Sequence, residues 1–245
     1  MKFNKSKAGT RSRAVRFVIV SCLVTAIAAC ANVGGGTAET RQPASSTLDF
    51  PVDAALTRFF STDATYNAST SFGGDKYDLH LRVKPSPDES LPDISPTPLK
   101  TTRQIVVTAV NSSEYETTAA EKIFYSTSPF TLWVEQDDMG ELGVMIDIFQ
   151  ERTGAPITAK VGQFGHLATG PFSYIVDDVL VVSKQVVTWS LEPDTASTAW
   201  LCINTNAVDE DGRFSQSDCA RIDSAGAISG YRAKFSNSQE TIEYR

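Results

Sequence analysis

Histidine is nearly missing from this chain: His80 and His166 are the only two in 245 residues. A serine or cysteine nucleophile usually passes its proton to a histidine base, so nucleophilic hydrolysis has only two starting points. His80 alternates onto the polar face of a strand-like run. His166 sits in a glycine-flanked loop, Gly165-His166. Both read as solvated or packing side chains. The strong catalytic signatures are missing too: there is no His-Glu-x-x-His, Gly-x-Ser-x-Gly, Ser-x-x-Lys, Walker loop or Gly-x-Gly-x-x-Gly. The run Gly34-Gly35-Gly36 is no phosphate loop, because no strand leads into it and no helix follows. No cofactor, metal site or catalytic residue is therefore assigned. Long apolar runs are scarce as well. The only extended one, Phe17 to Ala29, holds thirteen residues, short of the roughly 20 that a spanning helix needs.

Basic charge is sparse and lopsided. The formal net charge is −7, and six of the 22 basic side chains (Lys2, Lys5, Lys7, Arg11, Arg13 and Arg16) lie in the first sixteen residues. No acidic residue stands among them. Residues 1–29 thus read as a basic n-region and an apolar h-region, a signal peptide. Ile27-Ala28-Ala29-Cys30 resembles a lipobox, the sequence that bacterial lipoprotein processing cuts just before its cysteine. The resemblance implies a bacterial lipoprotein of the cell envelope, cut before Cys30 and carrying its acyl chains, palmitate among them, on that residue. Two or more chains hold a protein stably at a membrane. Cleavage would leave 16 basic and 29 acidic side chains, a balance that disfavours nucleic acid as a partner. Ala31 after the cysteine, in place of aspartate, resembles lipoproteins sorted to the outer membrane, facing the periplasm or the cell surface.

Cysteine arithmetic then leaves Cys202 and Cys219, an even pair in an exported chain, as one disulfide. A metal site would need more ligands close in sequence. Residues 30–49 are small and polar, a flexible lipid-proximal tether, and residues 50–245 read as one β-rich globular domain. Asp49 and Pro51 open a short helix whose Val52, Leu56, Phe59 and Phe60 share a face. Tyr77, Leu79, Leu81 and Val83 alternate with polar residues, a half-buried strand. The prolines of residues 85–98 predict an extended surface connection. Residues 103–110, 121–125 and 130–135 read as strands. Residues 142–150 allow helix or strand, and the β-branched run Val144 to Phe149 favours strand. Further strands follow at 157–161, within 174–191 around Asp177-Asp178, at 200–204, from Cys219, at 228–235 and at 241–244. Residues 207–218 read as a polar loop with Asp211-Gly212 at its tip. About eleven short strands separated by turns predict a mainly β fold, an antiparallel β-sandwich or barrel-like domain with one short N-terminal helix.

Two segments carry a wider likeness. Residues 188–199 with Cys202, Cys219 and Ile222 to Gly230 resemble the C-terminal part of a loose group of uncharacterised, β-rich Gram-negative lipoproteins. Tyr125 to Phe130 and Val161 to Gly165 are similar to their middle part. The likeness implies a β-rich exported domain with a cysteine pair, and transfers no catalytic residue. Two functions of different class follow. The preferred one is a non-enzymatic interaction or binding module, held to the membrane through Cys30, with an envelope protein or a glycan as partner. It predicts an exposed apolar patch and no deep polar pocket. The alternative is a carbohydrate-acting or other hydrolase using Glu135, Asp137, Asp138 and Glu141, two of them facing a cleft lined by Trp133 or a tyrosine. Asp209-Glu210-Asp211-Gly212 has the flavour of a calcium loop, but Ala207 and Asp218 stand where its first and last ligands belong. Residues 148–154 have a faint solute-receptor look, yet the helices of that two-lobed fold are lacking.

Overall fold

The computed structural model describes residues 46–245 except 73, 112, 139–143, 177–178, 210–211 and 239. Cys30 and Glu141 lie outside the described residues, and of Asp138 only the backbone is described. No described helix is long and apolar enough to cross a membrane.

Two antiparallel sheets face each other. The first is a six-stranded meander of β2 (Ala64–Phe72), β3 (Asp75–Glu89), β4 (Leu99–Val110), β5 (Ser113–Ser126), β6 (Thr131–Asp138) and β7 (Val144–Ile148). The second begins with β8 (Glu151–Arg152) and continues through β10 (Phe164–Val176), β11 (Val179–Pro193), β12 (Thr198–Asp209), β13 (Gly212–Asp223), β14 (Ile228–Ser236) and β15 (Thr241–Tyr244). A small two-stranded ribbon pairs β1 (Asp49–Phe50) with β9 (Ala159–Lys160). The fold is mainly β, an antiparallel sandwich with one short helix. Inward residues are the alternate ones that the period of a strand demands: Leu79, Leu81 and Val83 of β3 are buried while Arg82 and His80 are not. His80 pairs with Asn67 on the neighbouring strand.

The two sheets touch along both edges. On one side the chain passes from β7 to β8 through Phe149 and Gln150. There the Gln150 N–H donates to the Thr169 carbonyl (2.9 Å), and Thr153 N–H to that of Leu167 (2.8 Å). The Asp147 carboxylate accepts the Ser173 N–H (3.0 Å) and hydroxyl (2.6 Å), taking the place of a missing strand partner on β10. On the other side Ser69 and Arg245 exchange two backbone hydrogen bonds, each 2.9 Å.

The tight reversals that join β2–β3, β4–β5, β6–β7, β10–β11, β12–β13 and β14–β15 all fall at one end. Helix α1 (Val52–Ser61) closes the other. Its apolar face is Val52, Ala55, Leu56, Phe59 and Phe60, all buried. Phe60 stacks on Phe130 (5.1 Å between centroids) and Phe59 on Tyr66 (5.0 Å). The polar face is tied down as well. The Asp53 carboxylate accepts the Phe130 N–H, and Arg58 Nη1 donates to the Gly226 carbonyl at 2.8 Å. Gly226 has φ +73°, and a Cβ there would stand 3.0 Å from Pro51, so this turn accepts the helix only as glycine.

Several expectations change. Pro51, and not Asp49, stands at the N-cap position of the helix and no side chain caps it; Asp49 is in β1. Ser46 is buried and donates to Ala196, so the fold takes up residues assigned to the tether. β3 continues through Pro85 and Pro87 to Glu89, with a register shift after Ser86; the connecting loop is shorter than the proline run. Proline is tolerated where it donates no ladder bond. β2 has no strand signature in the sequence, because Asn67, Ser69, Thr70 and Ser71 dilute its alternation. Residues 144–148 are strand. Of the polar stretch 207–218, residues 207–209 and 212–218 are strand, with the ladder running to Asp209↔Gly212; Asp211 of the expected tip lies outside the described residues. His166 is likewise in a strand, at a register shift in β10, held by Thr153 Oγ1 (3.0 Å) and Thr169 Oγ1 (2.7 Å).

Candidate functional site

The residues of interest lie between the sheets. Directly opposed residues of adjacent strands share a face. Gln104 of β4, Glu121 of β5 and Asp137 of β6 form one such row, and Glu135 follows two residues from Asp137 on the same strand. Across the gap, Val187, Thr205, Gln216 and Phe235 form a second row, with Asp218 two residues along from Gln216. The gap itself is a cavity of about 160 Å³ lined by both rows. Phe59 and Phe60 of α1 lie at its closed end, with Leu81, Leu132 and Ile203 contributing apolar wall. Toward the hairpin end Phe172 and Phe214 lie nearly parallel, 6.1 Å apart.

The collar is tied across the sheets. Gln185, almost wholly buried, donates its amide to Glu135 Oε2 at 2.9 Å. Asp218 accepts from Gln216 Nε2 (2.7 Å) on its own strand and from the Tyr231 hydroxyl on β14. Burial pushes the Asp218 carboxyl above the usual aspartate range, against the two hydrogen bonds that favour its ionised form. The same burial, with the Asp218 charge beside it, raises Tyr231 well above an ordinary phenol. Two hydroxyls in the interior have no protein partner among the described residues, Thr102 Oγ1 and Ser183 Oγ. Their register partners, Ile123 and Phe172, both line the cavity. Buried hydroxyls normally find a partner.

The carboxylates singled out in the sequence separate here. Glu135 and Asp137 face the cavity. Trp133 does not: a register shift between Phe124 and Tyr125 displaces the alternation, and the indole packs with Leu99, Phe124 and Val134 in a separate cluster. Its Nε1 donates to Ser126 Oγ (3.0 Å), and the Arg152 guanidinium lies over the ring at 4.1 Å. No tyrosine whose side chain is described lines the cavity either. Sequence reasoning misses Glu121 and Gln185, which look like routine polar residues in strands, and Asp218, which reads as part of a polar loop. A polar residue falling on the phase of buried neighbours was the one available signal: Gln185 precedes Val187, Trp189 and Leu191 at period two.

Cys202 and Cys219 are directly opposed on β12 and β13, and their sulfurs are bonded. This bridge lies in the sheet and is remote in role from the cavity. Among the described residues no group of three or more His, Cys, Asp or Glu is placed to hold a metal ion. Outside the sandwich, Val144, Ile146 and Ile148 of β7 and Leu180 and Val182 of β11 expose aliphatic surface. Comparison with protein-family models, with curated proteins and with solved structures finds no match for this chain.

Proposed function

We propose that this protein is a non-enzymatic binding module, moored in the bacterial cell envelope through an acylated Cys30, that takes a small amphipathic molecule between its sheets. One observation carries the reading: the roughly 160 Å³ cavity with a phenylalanine floor and a hydrogen-bonding collar. An apolar cavity of about 150 Å³ accommodates a benzene-sized molecule, so the space suits a compact ring or short chain with one polar end. This departs from the expectation that a binding module here would lack a deep polar pocket. The exposed aliphatic residues of β7 and β11 fit the other half of that expectation, a surface for an envelope partner.

The test is ligand-dependent stabilisation of the full-chain protein by benzyl alcohol, followed by thermal unfolding and by chemical shifts of Leu132 and Ile203 methyl groups. Binding raises the midpoint in proportion to ligand occupancy. Val106→Phe fills part of the cavity and reduces that rise. A midpoint and methyl shifts indifferent to the ligand would remove the proposal.

The hydrolase reading is supported by Glu135 and Asp137 facing one cavity. It is opposed by the position of Trp133 on the other face and by the engagement of Glu135 with Gln185. Turnover of a glycoside that Glu135→Gln abolishes would favour it over simple binding.

A further inference from the structure

The geometry points to an organic cation, an amine on an apolar body, as the ligand class of the inter-sheet cavity; this rests on the binding reading above. The charges around the space are of one sign. Among the described residues Glu121, Glu135, Asp137 and Asp218 line it, and no lysine, arginine or histidine does. Lys122, beside Glu121, pairs with Glu89. Arg82, Arg103, Lys184, Arg213 and Lys234 each neighbour a lining residue in sequence and fall on the opposite phase of their strands, outside the lining. A cleft with low-dielectric walls and one sign of charge focuses its field and concentrates the opposite ion.

Three further features select an organic cation over other positive species. The carboxylates are spread over β5, β6 and β13 and are not gathered into a metal-holding group. The walls are largely apolar and carry phenylalanine rings, Phe59 and Phe60 at one end, Phe172 and Phe214 at the other. Ring faces attract ammonium groups, and the same rings hold a hydrocarbon body. The fully buried Thr102 hydroxyl, on the inward face beside Gln104 and without a protein partner, leaves a hydrogen bond open in the same interior. An anionic ligand meets four carboxylates there, and a neutral one gains hydrogen bonds from them without the charge attraction.

The experiment compares benzylammonium, benzyl alcohol and benzoate, three probes of one shape and three charges, titrated into the full-chain protein at neutral pH and low salt. Benzylammonium should bind about tenfold tighter than the alcohol, an advantage that shrinks as salt screens the collar. Benzoate should show no saturable binding. The Glu121→Gln/Asp137→Asn double variant should bring the amine-to-alcohol ratio close to one, and the wild-type ratio stands as a test even where that variant folds poorly. Equal affinity for amine and alcohol, or saturable binding of benzoate, overturns the cation assignment while leaving a binding cavity. Failure of all three probes to bind overturns the assignment and the cavity reading with it.

Discussion

Single residues decide whether the closed end of the sandwich forms. Gly226 turns with positive φ under the start of α1, and its carbonyl receives Arg58. Gly226→Ala forces a side chain into the left-handed region and against Pro51. A loss of about 1–3 kcal/mol is expected in urea unfolding, where a glycine at negative φ would show a gain. Asp218 sets a pH dependence. Its folded pKa is raised by burial above the ordinary aspartate value of 3.8. The folded protein therefore holds that proton more tightly than the unfolded chain. The resulting stabilisation is complete below 3.8 and is lost as pH rises through the raised folded value. Asp218→Asn keeps an acceptor for Tyr231 and removes the titration. Measured against wild type, its stability should improve between about pH 3 and pH 7. A difference that does not change with pH would count against this account.

At the scale of elements, the β12–β13 hairpin carries both a complete ladder and a covalent bridge. The ladder extends from Thr198↔Asp223 to Asp209↔Gly212, with Cys202 and Cys219 inside it. A loop of 17 residues' separation, once closed, gains about 3 kcal/mol, mainly by restricting the unfolded chain. Because the ladder stands without the bridge, the double variant Cys202→Ser/Cys219→Ser should fold to the same far-ultraviolet spectrum with a midpoint lowered by about that free energy. A variant that cannot fold would mean the bridge directs pairing. This hairpin also shows how far local pattern reaches. Trp200 to Asn204 reads as strand because Trp200-Leu201-Cys202-Ile203 is a short continuous apolar run. Residues 207–218 read as loop because Asp209, Asp211, Ser215, Ser217 and Asp218 resemble turn chemistry. Residues 212–218 are strand because β12 pairs with all of them and β14 with 215–218, regardless of side-chain polarity. The same holds for His166: the glycine beside it looks like a loop, while β11 pairs it with Thr188.

The whole molecule is two meanders joined at their edges, and the joints are few. Asp147 holds one by accepting two hydrogen bonds from Ser173. Asp147→Ala leaves the buried Ser173 N–H and hydroxyl without that acceptor. A destabilisation of about 1–3 kcal/mol is expected, with faster hydrogen exchange at Ser173 than at Cys219 amides in mid-sheet. Exchange that quickens evenly over both sheets would place the effect elsewhere.

The chain by itself determined its β class, the face that α1 buries and the opposition of Cys202 to Cys219. These are consequences of period, turn chemistry and cysteine count, all set within a few residues or one hairpin. Only the tertiary structure decided that Glu121 and Asp137 confront Asp218, that Trp133 turns outward, and that Gln185 reaches Glu135 from 50 residues away. Which polar side chains face inward together depends on how two curved sheets meet, and on the register shift that rotates Trp133 out of phase. Neither leaves a mark on the local pattern, because a strand's alternation specifies two faces and says nothing about what stands opposite them.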